Sequence, residues 1–186
     1  MKGYIYTMYA GADPSRGWVM NDPTFRKSPT LGACVPNIRR AVSVGDHIFV
    51  ISGRIKDERQ FVVGSFEVAE KINALAAYRR FPECRLKPHE NGQVVGNIIV
   101  DSRGKHHPLD DHSNFEKRIE NYIVGRNPLV LETPTQFKAA KEETLDLLSD
   151  VFERKGMRVF DIIGRYRKMN EGQVEQMRVW LKRLSE

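Results

Sequence analysis

The chain reads as an α+β protein, with strands and short helices mixed over residues 1–135 and a helical extension over 136–186. Three observations predict this. Short apolar or alternating runs recur up to about residue 132, separated by turn-forming Gly, Pro, Asn and Asp. From Thr135 onward apolar residues recur every three or four positions, as in Val174, Met177, Trp180 or Leu181, and Leu184. And 186 residues, 40% of them hydrophobic, suffice for one core-bearing domain with a small appendage.

The elements follow in order. Lys2 to Tyr9 alternates as a strand with Tyr4, Tyr6 and Met8 on one face. Gly11 to Thr30 is a long polar loop, yet it carries Trp18, Met20 and Phe25, and embedded aromatics argue against disorder. Pro36 suits the first turn of a short helix ending before Gly45. Asp46 to Ser52 and Gln60 to Ala69 are strands, joined as a hairpin through Gly53 to Arg59. Ile72 to Phe81 is a short helix, and Val94 to Val100 a strand entered through the Asn91-Gly92 turn. His106 to Asn114 is a polar loop, Phe115 to Tyr122 a short helix, and Leu129 to Glu132 a last short strand. Residues 137–154, 157–169 and 171–185 are predicted helices, with Asn170 and Gln173 as a capping box.

Charge and cysteine content bound the function. The net charge of +6 is concentrated in residues 1–60, which hold nine Lys/Arg against five Asp/Glu. A folded surface for an anionic partner would have this bias. No apolar run approaches the ~20 residues of a membrane span, and the N-terminus lacks the apolar stretch of a signal peptide, so a cytoplasmic, membrane-free protein is expected. Two cysteines, Cys34 and Cys84, form neither a disulfide framework nor a four-cysteine zinc site. Glycine-rich phosphate loops, HExxH, CxxC and GxSxG are all absent, which disfavours the chemistries those motifs carry.

Three constellations remain. Tyr9 and Trp18, with Tyr4, Tyr6 and Phe25, are aromatics that would either stack on a planar base or anchor the core and the loop. Asn37, Arg39 and Arg40 lie at the short helix. Two consecutive arginines point ~100° apart, so one faces solvent while the other can be pinned. They are either phosphate contacts or a solvated face. The string GKHHPLDDH brings together His106, His107, Asp110, Asp111 and His112, which could ligate a metal, perform acid–base work, or form an ordinary polar turn. Cys34 is a nucleophile only if the fold supplies a base the sequence does not identify. A buried structural cysteine is the simpler reading.

The stretch Thr30, Leu31, Cys34, Pro36, Ile38, Arg39, Arg40, followed by Gly45-Asp46 and a hydrophobic strand ending at Ser52-Gly53, resembles the nucleotide-modification-associated domains. These belong to a PUA-like group related to the EVE, ASCH and YTH readers. The later block HPLDDHSNFEKRIENYIVG also looks like a motif of such proteins. The resemblance spans roughly residues 1–135 and implies a small distorted β-barrel with peripheral helices and a pocket for a flipped or modified base. Carried over by position, it makes Tyr9 and Trp18 pocket walls, Asn37, Ser52 and Gly53 pocket lining, and Arg39, Arg40 and Arg54 phosphate contacts.

The functional expectation is therefore a non-catalytic reader of nucleic acid, DNA or RNA, bearing a modified base, without cofactor. A nuclease or modifying enzyme is a possible partner, and a homodimer is possible through residues 136–186. The rivals are an enzyme acting on nucleotides or modified bases through the Asp/His loop, and a module binding a free nucleotide.

Overall fold

The structure is a computed structural model that describes all 186 residues. Its strands are β1 (Gly3–Thr7), β2 (Thr30–Leu31), β3 (His47–Ile51), β4 (Val62–Ile72), β5 (Lys87–Pro88), β6 (Val94–Val95), β7 (Tyr122–Val130) and β8 (Tyr166–Met169). Its helices are α1 (Pro36–Ala41), α2 (Ala74–Arg80), α3 (Pro134–Val151), α4 (Val159–Ile163) and α5 (Glu171–Ser185). Six strands form a mixed sheet in the order β2-β7-β4-β3-β1-β8, and β5 pairs with β6 apart from it. The α+β class is therefore correct, but the expected barrel is not. The sheet has two open edges, β2 and β8, and no strand pair closes it.

By contact the chain divides into two compact units. One comprises Met1–Trp18, Gly45–Glu67 and Pro128–Glu186; the other comprises Val19–Val44 and Val68–Asn127.

In the first unit β1 runs parallel to β3, from Gly3↔His47 to Thr7↔Ile51, and antiparallel to β8. Ile5, Ile48, Phe49, Val50 and Ile51 are fully buried, which explains why DHIFVIS reads as a continuous apolar run rather than an alternating one. α3 and α5 each begin with a reciprocal capping box, Thr133 with Gln136 and Asn170 with Gln173. Their apolar faces bury Leu148, Val174, Met177 and Leu181.

The predicted helix over 157–169 is a correction. Helix α4 spans only Val159–Ile163 and stops at Gly164, whose φ of 66° suits glycine. Residues Tyr166–Met169 then add to the sheet beside β1. Spacing within one turn is real here, but the long-range partner decides the rest.

In the second unit β2 pairs with β7 through Thr30↔Val124 and Leu31↔Ile123. A core of Ala74, Ala77, Phe81, Cys84, Ile98, Val100, Tyr122 and Val124 lies beneath α2. Here too the local reading shifts. Phe115–Lys117 is a single 3-10 turn, and Tyr122 opens the nine-residue β7, whose end replaces the separate strand expected at Leu129. The strand expected over Val94 to Val100 is cut at Gly96, φ 105°, leaving isolated bridges at Ile98 and Val100.

Candidate functional site

The second unit holds a cysteine placed by an unusually determined piece of backbone. Buried Asn97 donates through Nδ2 to the carbonyl and hydroxyl of Thr30 and accepts from the Tyr122 hydroxyl at 2.7 Å. This fixes the end of β2. Beyond it, Gly32 has no room for a Cβ, which would overlap the Asn97 carbonyl and the Tyr122 ring. The amides of Gly32, Ala33 and Cys34 then all donate to the Asp22 carboxylate, at 2.7 and 3.0 Å for the first two. After Cys34 the chain passes through Val35 at φ 42°, ψ 55° and enters α1 at Pro36. A β-branched residue in the left-handed region costs on the order of 1–3 kcal/mol and persists only where neighbours over-determine it. Only Gly32 and Ala33 separate β2 from Cys34, and Val35 alone separates Cys34 from α1, so the thiol sits on a short, closely held turn.

The base facing it comes from the polar loop. Asp110, whose side chain is 3% exposed, accepts from His112 Nδ1 at 2.6 Å through one oxygen and from His106 Nε2 at 2.7 Å through the other. His106 is in turn stacked on Phe115, with ring centroids 4.5 Å apart. The loop backbone is pinned by His107 N to the Ile99 carbonyl and Asp110 N to the His107 carbonyl. With Nδ1–H donated to Asp110, His112 presents Nε2 as an acceptor, and this atom lies 4.0 Å from Cys34 Sγ. Cysteine, imidazole and carboxylate thus stand in the order nucleophile, base, orienter. The separation is long for a thiol hydrogen bond, as such pairs often are before substrate binds.

Electrostatics keep this thiol neutral at rest. Burial, with the Asp22 carboxylate beside it, pushes the Cys34 thiol far above the ordinary thiol range, and the Arg118 and Arg39 guanidiniums oppose this only in part. No thiolate is stored, so any chemistry at this sulfur would need a base, and His112 Nε2 is the imidazole nitrogen beside it. Cys84, by contrast, is buried in the core against Thr30 with a raised thiol pKa, which is the structural cysteine.

The other sequence-predicted residues are scattered. Arg39 is fully buried and donates to the carbonyls of Cys34 (2.8 Å), Arg118 (2.9 Å), Asn121 (2.6 Å) and Ala33 (3.2 Å). Its fork is saturated by backbone, so it is a clamp beneath Cys34 and not a phosphate contact. Arg40 and Asn37 are exposed on the same helix, 3.5 Å apart, so the expectation of one pinned and one solvated arginine fits.

In the first unit Ser52 is fully buried, its hydroxyl accepting from Phe61 N at 3.1 Å. At Gly53 a Cβ would overlap the Tyr9 carbonyl, and its N–H donates to Ala12 O at 2.7 Å. Gly53 ties the Tyr9–Trp18 loop down, Ser52 is bonded to Gln60 and Phe61, and neither offers a side chain to a ligand. Tyr9 is 55% exposed and meets Trp18 edge-on, with centroids 5.3 Å apart. Arg54 lines a cleft of about 960 Å³ whose lining is of mixed charge, with Lys56, Arg59 and Lys141 beside Asp57, Glu58 and Glu142.

Asp111 is fully exposed, 4.0 Å from His112 Nδ1, and with Asp110 and His112 forms a group of possible metal ligands. Both Asp110 oxygens already serve imidazoles, so a metal there would compete with the bonds that orient His112. Sequence reasoning missed Asp22 and Arg118. It also held Cys34 and the Asp/His loop apart, although both lie in the two blocks that carried the family resemblance.

No helix is long and apolar enough to cross a membrane. No curated protein matches the chain. The family model described as nucleotide modification associated domain 2 matches residues 20–186, which include every residue of the Cys34–His112–Asp110 constellation. The chain belongs to that family, the nucleotide modification associated domain 2 proteins.

Proposed function

We propose that this chain is a thiol-dependent enzyme of nucleotide modification, acting at an electrophilic sp2 carbon of a nucleobase or of the group attached to it. One observation carries the reading: two sequence blocks 78 residues apart bring Cys34 Sγ to 4.0 Å from His112 Nε2, whose Nδ1 meets the Asp110 carboxylate at 2.6 Å. In the step this geometry suits, the sulfur bonds to a carbonyl carbon while its proton moves to His112 Nε2. The carbonyl π pair moves onto oxygen. Collapse restores the C=O bond and expels an amine or alcohol, which takes the proton back from His112, leaving a thioester on Cys34 for water or an acceptor amine to cleave. Asp110 holds the imidazole in the required tautomer and stabilises its cation.

The test uses p-nitrophenyl acetate first and then oligonucleotides carrying N-acetylated bases. Intact-mass analysis should place one acetyl group on Cys34, lost in Cys34→Ala and slowed ~100-fold or more in His112→Ala. Acetylation spread over lysines, or unchanged by His112→Ala, overturns the proposal.

A second reading, the non-catalytic reader, is favoured by the exposed Tyr9 edge-on to Trp18. Stacking on such an aromatic contributes ~1–3 kcal/mol per base. Titration with modified and unmodified oligonucleotides decides it: tighter binding of the modified strand, lost in Tyr9→Ala and untouched by Cys34→Ala, would favour the reader.

A further inference from the structure

Arg118 stands where the two halves of the candidate site meet. Its Nη1 donates to the carbonyl of Ala33 at 2.6 Å, and its Nε donates to the carbonyl of Ser113 at 2.8 Å. Ala33 precedes Cys34 and Ser113 follows His112, so one guanidinium bridges the segment carrying the thiol to the segment carrying the base. It is partly exposed, and Nη2 makes no hydrogen bond within the protein. The other charges at this place are occupied. Arg39 is saturated by four carbonyls, and Asp22 accepts three amides. The Asp110 oxygens serve His106 and His112. Asp111 is turned fully to solvent.

Resting on the reading of Cys34 as nucleophile, we infer that Arg118 is the anion-holding residue of the site. The group that Cys34 attacks would then carry an oxygen that is anionic or becomes so during attack, and the free Nη2 would meet it. A forked guanidinium whose other nitrogens are fixed by backbone is preorganised for that task and needs little reorganisation as charge develops. The substrate class is accordingly narrowed to electrophiles bearing a carboxylate, phosphate or carbonyl oxygen beside the reacting carbon, rather than cationic or purely apolar ones.

Two alkylating reagents of nearly the same size test this on the full chain: iodoacetate, which is anionic, and iodoacetamide, which is neutral. Their rate ratio at Cys34, followed by mass mapping, divides out accessibility and geometry. Wild type should favour iodoacetate relative to the same protein unfolded in urea. Arg118→Gln should lower the ratio about fivefold, and Arg118→Lys should restore most of it. In wild type the ratio should also fall as salt rises from low to high ionic strength, a readout that needs no variant to fold. An unchanged ratio in Arg118→Gln, or a wild-type ratio indifferent to salt, overturns the inference. His112→Ala should slow both reagents together and leave the ratio alone. If it slows neither, the nucleophile reading itself falls, and with it the role given to Arg118.

Discussion

Replacing Arg39 by methionine separates a structural clamp from a phosphate contact. The change keeps length and apolar bulk but removes four donated hydrogen bonds. Ala33 O retains Arg118 Nη1, so three carbonyls, those of Cys34, Arg118 and Asn121, lose the donors they have. Each carbonyl left without a donor in a buried setting costs about 1–3 kcal/mol, reduced where the chain relaxes or water enters. The total expected is about 3–5 kcal/mol, in line with breaking other buried charge-assisted networks. That is a large part of the 5–15 kcal/mol typical of a whole domain. Urea unfolding followed by circular dichroism measures it as a fall in midpoint at unchanged slope. Arg40→Met, on the exposed face of the same helix, should stay within about 0.5 kcal/mol of wild type. An Arg39→Met protein as stable as wild type, but weakened in oligonucleotide binding, would refute the clamp and restore the phosphate role.

Other consequences are equally direct. Because the Cys34 thiol is raised in the folded chain, the unfolded chain loses its proton first as pH rises past its ordinary 9.0. Wild type should therefore shed about 1.4 kcal/mol of stability per pH unit more than Cys34→Ala above that point, since buried Cys84 contributes its own alkaline slope to both proteins. Below pH 9 the two proteins should differ by a constant offset, and parallel profiles above it would contradict the burial of the thiol. Gly53→Ala drives a Cβ into the Tyr9 carbonyl and should cost about 1–3 kcal/mol by thermal or chemical melting. Asn170→Ala removes the side-chain acceptor for Gln173 N and should cost about 1 kcal/mol. A neutral result in either case would mean that the local geometry is not constraining.

Much of the fold was legible because it is written in short-range chemistry. The run DHIFVIS, the Asn170–Gln173 cap and the Arg39/Arg40 division follow from periodicity, capping and the helical turn. What escaped depends on partners distant in sequence. Tyr166–Met169 is a strand because Gly3–Tyr6 lies beside it, which no local spacing encodes. The open sheet, where a barrel was expected, likewise follows from how strands pair rather than from which segments are strands. The site shows the same limit. Cys34 lacked a visible base because His112 is 78 residues away, and Asp22 looked like one more polar residue of a long loop. Ser52 and Gly53 drew notice as small polar residues ending a strand, whereas their smallness serves backbone packing.

The central claim, that His112 activates Cys34 under the direction of Asp110, is tested most directly by the rate of iodoacetamide alkylation at Cys34. Wild type, His112→Ala and Asp110→Asn should be compared at neutral pH, with adducts counted by mass on Cys34 and Cys84 separately. The account predicts that Cys34 reacts well ahead of buried Cys84, slows at least about tenfold in His112→Ala, and slows to a smaller extent in Asp110→Asn. Equal rates in all three proteins, or Cys34 as inert as Cys84, would contradict it.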